Sequence, residues 1–178
     1  MKVIFLDNDG VICLSNNWGG RNKKWAKYRS ENPNSSNYRP DAPVHVRFDN
    51  FDEKAIKILN SILEQTGAEI VVSSDWRFHW DLDELDKIFK VNGVKKSPIF
   101  GTIKNKRKMS SDLEDDRVYQ INEWVKFNKP EKWVAIDDMN LSSLGPNFFR
   151  TKDSEGLKQT GLKDKIIKLL NDDNTTSS

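Results

Sequence analysis

The chain has 178 residues, enough for one domain with a real core, and its 29 Lys and Arg against 27 Asp and Glu leave a formal net charge of +2. That balance excludes a globally basic nucleic-acid binder, although local patches keep their weight. The single cysteine, Cys13, excludes an internal disulfide framework and fits a reducing compartment. No apolar run approaches the length of a membrane span. The sequence opens directly on strand-like residues, so a soluble, cytoplasmic protein is expected.

Val3 to Leu6 is a short apolar run that reads as a buried strand. It ends in Asp7-Asn8-Asp9-Gly10. Strand alternation sets Asp7 and Asp9 on one side and Asn8 on the other. Two carboxylates at a strand end are costly unless a cation or a hydrogen-bond network offsets them. Hard oxygen ligands at this spacing suit Mg²⁺, and Gly10 lets the chain turn sharply away. Residues 15–48 are polar and rich in turn formers, which predicts a small lid insert. Its cations, among them Lys23, Lys24 and Lys27, alternate with aromatics such as Trp18, Trp25 and Tyr28. Positive charge with interleaved aromatics is how nucleic-acid single strands are held, and a loop folded onto the body has the same composition.

Phe51 to Gln65 carries helical spacing. Phe51, Ala55, Ile58, Leu59, Ile62 and Leu63 fall on one face, Asn50 is placed to cap the start, and Gly67 ends the helix. Glu69 to Ser73 is a second buried strand, which makes a parallel crossover unit with the first. A second helix is predicted over Leu82 to Phe89, and a short strand at Ile99-Phe100-Gly101. Val118, Ile121, Trp124 and Val125 mark a third helix. Lys132 to Ile136 is a third strong strand, ending in Asp137-Asp138. Phe148-Phe149 reads as an edge strand. Leu162, Ile166, Leu169 and Leu170 mark a closing helix, and residues 172–178 a flexible tail. Together these predict one α/β domain over residues 1–171.

Three of these strands end in polar chemistry: Asp7 and Asp9, Ser73 and Ser74, Asp137 and Asp138. Ligands of open parallel sheets bind beyond the carboxyl ends of the strands, so the three groups converge. Taken alone, each reads as a capping residue; the ordered set does not. Phe5-Leu6-Asp7-Asn8-Asp9-Gly10-Val11, Val71-Val72-Ser73-Ser74 and Val134-Ala135-Ile136-Asp137-Asp138 resemble the first, second and fourth motifs of the haloacid dehalogenase superfamily of phosphohydrolases. Ser73-Ser74-Asp75-Trp76-Arg77, Arg117 opening a helix with Trp124, and Gly156-Leu157 are similar to a small branch of it associated with RNA-repair proteins and phage-like genomes.

The resemblance implies a Rossmann-like three-layer sandwich with a mostly parallel sheet, and a Mg²⁺-dependent phosphohydrolase that works through an aspartyl-phosphate. In it Asp7 is the nucleophile and Asp9 the general acid and base. The metal is held by Asp7, the backbone carbonyl of Asp9, and Asp138 or Asp137. Ser73, or its rival Ser74, donates to a phosphoryl oxygen. A cation near the start of the helix before the acidic strand is expected to be Arg117, with Lys104, Lys106 and Lys108 as alternatives. Arg77 reads equally as a phosphate ligand and as a structural ion-pair partner, and Trp76 and Trp80 as packing residues. Lys24 and Trp25 are the substrate contacts expected from the lid. The expected partner is a phosphorylated substrate, a nucleotide or a nucleic-acid terminal phosphate. A small-molecule phosphatase such as a nucleoside monophosphatase, and a phosphate-binding module without turnover, are the alternatives.

Overall fold

The structure is a computed structural model that describes residues 1–15, 27–33, 51–101 and 112–172. Most of the expected lid, with Lys24 and Trp25, lies outside the described residues, as do Lys104, Lys106, Lys108 and the tail from 173 onward; residues 27–31 are helical. A five-stranded sheet has the order β3-β2-β1-β4-β5, formed by β1 (Lys2–Leu6), β2 (Glu69–Val72), β3 (Pro98–Gly101), β4 (Lys132–Asp137) and β5 (Phe148–Arg150). All four pairings are parallel. The chain runs outward from β1 to β3, then returns to place β4 on the other side of β1. That reversal opens a crevice at the carboxyl ends of β1 and β4.

Strand alternation divides the core in two. Ile4, Leu6, Ile70, Val72, Val134 and Ile136 face one layer, where α1 (Glu53–Thr66), α2 (Leu82–Val91) and α4 (Leu162–Asn171) bury Leu59, Ile62, Ile88, Phe89, Ile166 and Leu170. Val3, Phe5, Val71 and Ala135 face the other, against Ile121 and Trp124 of α3 (Leu113–Asn128). Each fully buried Leu, Ile or Phe contributes roughly 1.5–3 kcal/mol, so the three-layer arrangement follows from the two-sided apolar strands. Phe5 meets Trp124 edge-on at 5.3 Å and Trp133 at 5.7 Å. This contact fastens α3 to β1 two residues before Asp7. Arg117, Ile121 and Trp124 follow helical spacing, so the face that packs on the sheet also aims Arg117 at the strand ends.

Three local readings are corrected. The cap of α1 is Asp52, not Asn50: its carboxylate accepts from the N–H groups of Lys54 at 3.0 Å and Ala55 at 2.9 Å. Phe51 belongs to an extended bridge with Cys13, which removes it from the helix face. The third helix starts at Leu113, capped by Asp112, so Arg117 sits one turn inside it rather than at its opening. Gly67 ends α1 in the left-handed conformation, as its position predicts, and Cys13 is buried. Among the described residues no helix is long and apolar enough to cross a membrane.

Candidate active site

The sheet stops at Leu6, and the chain then turns on itself. The carbonyl of Asn8 accepts from the N–H groups of Val11 at 3.3 Å, Ile12 at 3.0 Å and Cys13 at 2.8 Å. This turn overrides the strand alternation expected of Asp7 and Asp9, and their carboxylates go to different partners. Gly10 makes the turn possible with φ +74°, and a Cβ there would run into the Asp138 carboxylate. The turn is held from the far edge of the sheet, where Thr151 donates its hydroxyl to the Gly10 carbonyl at 2.9 Å and its N–H to the Asp137 carbonyl at 2.9 Å. Gly156, at φ +54°, packs so closely on the Val11 carbonyl that no side chain fits between them.

Asp7, Asp137 and Asp138 form the acidic cluster, each offering an oxygen within 4.8 Å of the others. Arg117 reaches into it. One guanidinium nitrogen lies 3.0 Å from Asp7 and 2.8 Å from Asp137, and the other lies 3.0 Å from Asp75. Burial pushes the Asp7 carboxyl up to about 7, against the pull of Arg117; Asp137 and Asp138 add to the rise, and a hydrogen bond from the Ser74 hydroxyl opposes it. Asp138 is raised too, by burial first and by Asp137 next. Arg117 is held firmly protonated: burial works against its charge, but Asp7 and Asp137 outweigh it.

A divalent cation fits this donor set. One guanidinium faces three carboxylates, two of them pushed toward neutrality by burial and mutual repulsion, and a hard cation relieves that imbalance with the oxygen ligands it prefers. The oxygens of Asp137 are already engaged, Oδ2 by Arg117 and Oδ1 by the Met139 N–H at 2.9 Å. Asp138 is half-buried, its carboxylate against Gly10. Asp7 and Asp138 are therefore the side chains best placed to hold the ion, and Asp137 the one that anchors Arg117. Asp9 stands apart from the cluster. Its Oδ2 accepts from the indole N–H of Trp76 at 2.7 Å, so its expected share in the metal falls to the main-chain carbonyl that the resemblance assigns.

The residues after β2 serve one another. Ser73 is buried, its N–H bonded to the Leu6 carbonyl at 3.0 Å. Ser74 caps the 3₁₀ turn Asp75–Phe78, accepting from the Trp76 N–H at 3.4 Å. Arg77 is turned inward, bonded to the carbonyls of Ser73 and Ser74 and to Oε1 of Gln120. Burial, and then repulsion from Arg117, bring its pKa down to about 10. Of the two readings of Arg77, these contacts favour the structural one, since both terminal nitrogens of its guanidinium bond within the protein. Sequence reasoning missed Asp75, Thr151 and the polar role of Trp76. Trp76 and Asp75 lay inside the quoted Ser-Ser-Asp-Trp-Arg run, whereas nothing in the sequence singles out Thr151.

Neither the curated proteins nor the solved structures compared with the chain include a match. The family model described as the HAD domain in Swiss Army Knife RNA repair proteins matches residues 3–162. That span holds β2, β4, all of β1 but its first residue and every side chain of the acidic centre, and the chain belongs to this family of haloacid dehalogenase-type phosphohydrolase domains.

Proposed function

We propose that the protein is a Mg²⁺-dependent phosphomonoesterase that removes a terminal phosphate from a nucleic-acid end through an aspartyl-phosphate at Asp7. The observation that carries the reading is the meeting of Asp7 with Arg117, Asp137 and Asp138 around one point, with a second carboxylate, Asp9, held separately beside them. The two aspartates have different partners: Asp7 meets Arg117, and Asp9 meets the Trp76 indole.

In the first step a carboxylate oxygen of Asp7 attacks phosphorus. The bond from phosphorus to the leaving oxygen breaks, and that oxygen keeps the electron pair and takes the proton of Asp9. In the second step water attacks the same phosphorus. Asp9 takes the water's proton, the Asp7 carboxylate is released, and inorganic phosphate leaves. Arg117 faces the charge that develops on the phosphoryl oxygens, and Ser73 or Ser74 donates a hydrogen bond to one of them. Asp7 and Asp138 would hold Mg²⁺, which when bound would supply charge neutralisation for the approach of one anion to another. The nucleic-acid end as substrate is supported by the family's association with RNA repair and by the basic, aromatic composition of residues 15–48, where Lys24 and Trp25 are the proposed contacts.

The test is phosphate release from 3′- and 5′-phosphorylated oligonucleotides, mononucleotides and sugar phosphates in the presence of Mg²⁺. Turnover of the oligonucleotides is expected, and turnover of the sugar phosphates or mononucleotides alone sinks the nucleic-acid assignment. Asp7→Asn should lower hydrolysis of every substrate by about 10⁴-fold or more while the protein still melts cooperatively. If Asp7→Asn stays active, the covalent route is wrong.

A further inference from the structure

Trp76 is bound to the carboxylate that the proposed mechanism uses as its acid and base. Its side chain is 7% exposed, and its indole N–H meets Asp9 Oδ2 at 2.7 Å. An indole nitrogen donates and never accepts, so the oxygen it meets offers a lone pair. Oδ1 is the oxygen that the indole leaves unengaged. A carboxyl group turns easily about its last torsion, which exchanges the two oxygens, unless a partner distinguishes them. Trp76 is a partner that can, because it is itself fixed. Its ring stands edge-on to Phe51 at 5.8 Å and to Trp80 at 5.6 Å, and its carbonyl accepts from the N–H groups of His79 and Trp80 at 3.0 Å each.

We infer that Trp76 is a positioning residue that locks the Asp9 carboxyl, leaving Oδ1 as the oxygen that exchanges protons with the substrate and with water. The inference rests on the reading of Asp9 as acid and base. In the first step the proton on Oδ1 passes to the leaving oxygen as its bond to phosphorus breaks; in the second Oδ1 takes it back from the attacking water. Through both steps Oδ2 stays paired with the indole. The arrangement also explains why a large aromatic residue follows Ser74 closely: the 3₁₀ turn that Ser74 caps sets the indole across from the β1 turn.

The experiment is Trp76→Phe, which keeps an aromatic ring and removes the N–H. It is paired with replacement of Trp76 by benzothienylalanine, which keeps the bicyclic shape with sulfur in place of the nitrogen. Kinetics are read on a phosphorylated oligonucleotide, whose alcohol leaves poorly without a proton, and on p-nitrophenyl phosphate, whose phenolate leaves without one. The ratio kcat/KM should fall about 10- to 100-fold for the oligonucleotide and about twofold or less for the aryl ester, a fraction of what general acid catalysis supplies. An equal loss on both substrates means a packing role and overturns the inference, as does no loss on either. In an Asp9→Asn background neither replacement should cause further loss, and an additive loss also overturns it. The acid–base reading fails separately if Asp9→Asn itself spares the oligonucleotide. Independently of turnover, the indole ¹⁵N–¹H resonance that disappears in Trp76→Phe should move in Asp9→Asn; a resonance that does not move removes the contact on which the inference stands.

Discussion

The ends of β1 and β4 and the end of β2 are neighbours in one sheet, yet they use their polar groups in opposite ways. At β1 and β4 the carboxylates of Asp7, Asp137 and Asp138 outnumber the one guanidinium among them, and Asp7 is pushed up to about 7. At β2 the polar groups turn on one another: Ser74 caps its turn, Arg77 bonds the carbonyls of Ser73 and Ser74, and Trp76 reaches across to Asp9. The first region is unbalanced in charge and is built to meet ligands. The second spends its polar groups on its own backbone and is built to hold positions. Two buried arginines make the contrast sharp, since Arg117 serves the first region and Arg77 the second.

The largest effect expected from breaking this contrast is the loss of Arg117. Arg117→Met leaves Asp7 and Asp137 buried beside each other without their cation. Removing one member of a buried ion pair costs about 3–5 kcal/mol, and urea unfolding in chelator should show a loss of that order. Arg77→Met removes hydrogen bonds from a charged donor to neutral acceptors, with a longer ion pair to half-exposed Asp75 at 3.6 Å, and about 1.5–3 kcal/mol is the expected scale. A larger loss for Arg77→Met than for Arg117→Met would reverse the assignment of the two regions.

Metal addition sharpens the same contrast at the next magnitude. An ion that binds only the folded state at a hundredfold its Kd stabilises by about 2.7 kcal/mol. Mg²⁺ should therefore raise the unfolding free energy of the wild type and of Arg77→Met by that order, and Asp138→Asn should remove the gain. Without metal, Asp138→Asn should be no less stable than the wild type, because it deletes one of the repelling charges. Retention of the full Mg²⁺ effect in Asp138→Asn would move the ion to another ligand set.

Most of this arrangement is legible in the sequence because strands buried on both faces write themselves as unbroken apolar runs. The residues that follow such runs in a parallel sheet come together whatever their separation along the chain. Asp7, Ser73, Asp137 and Asp138 are found that way. What stays hidden depends on turns. Asp7 and Asp9 diverge because the Asn8 carbonyl gathers three N–H groups, a geometry that alternation along a strand does not contain. Arg117 reads as the opening of its helix because Leu113, 59% exposed, adds no apolar periodicity to the start. The signal there was Asp112 followed by Glu114, Asp115 and Asp116, acids that favour a helix N-terminus. Thr151 fixes the turn after β1 through a hydroxyl and an N–H from the edge of the sheet, and only the folded topology brings it there.

The smallest expected effect lies outside both regions, at the start of α1, where the cap is Asp52 and not the expected Asn50. Asp52 caps the helix and also pairs with Lys158 at 2.9 Å, joining α1 to the turn that carries Gly156. Burial alone pushes this carboxyl up, but the Lys158 hydrogen bond and the Ala55 and Lys54 N–H groups outweigh it, so the folded value lies below the ordinary one. A carboxyl depressed in the native state stabilises fully above its unfolded pKa, and that stabilisation is lost as pH falls through the folded value. Asp52→Ala should cost about 1 kcal/mol through the cap at neutral pH, with up to about 1 kcal/mol more from the ion pair. Asp52→Asn keeps a capping oxygen and loses only the charge. The wild type should therefore be more stable than Asp52→Asn near pH 7, with a gap that closes as the buffer is taken below the carboxylate range. Urea midpoints for both proteins across that range measure it, and a gap that persists unchanged in acid would mean that the carboxylate acts at this helix through its shape and not through its charge.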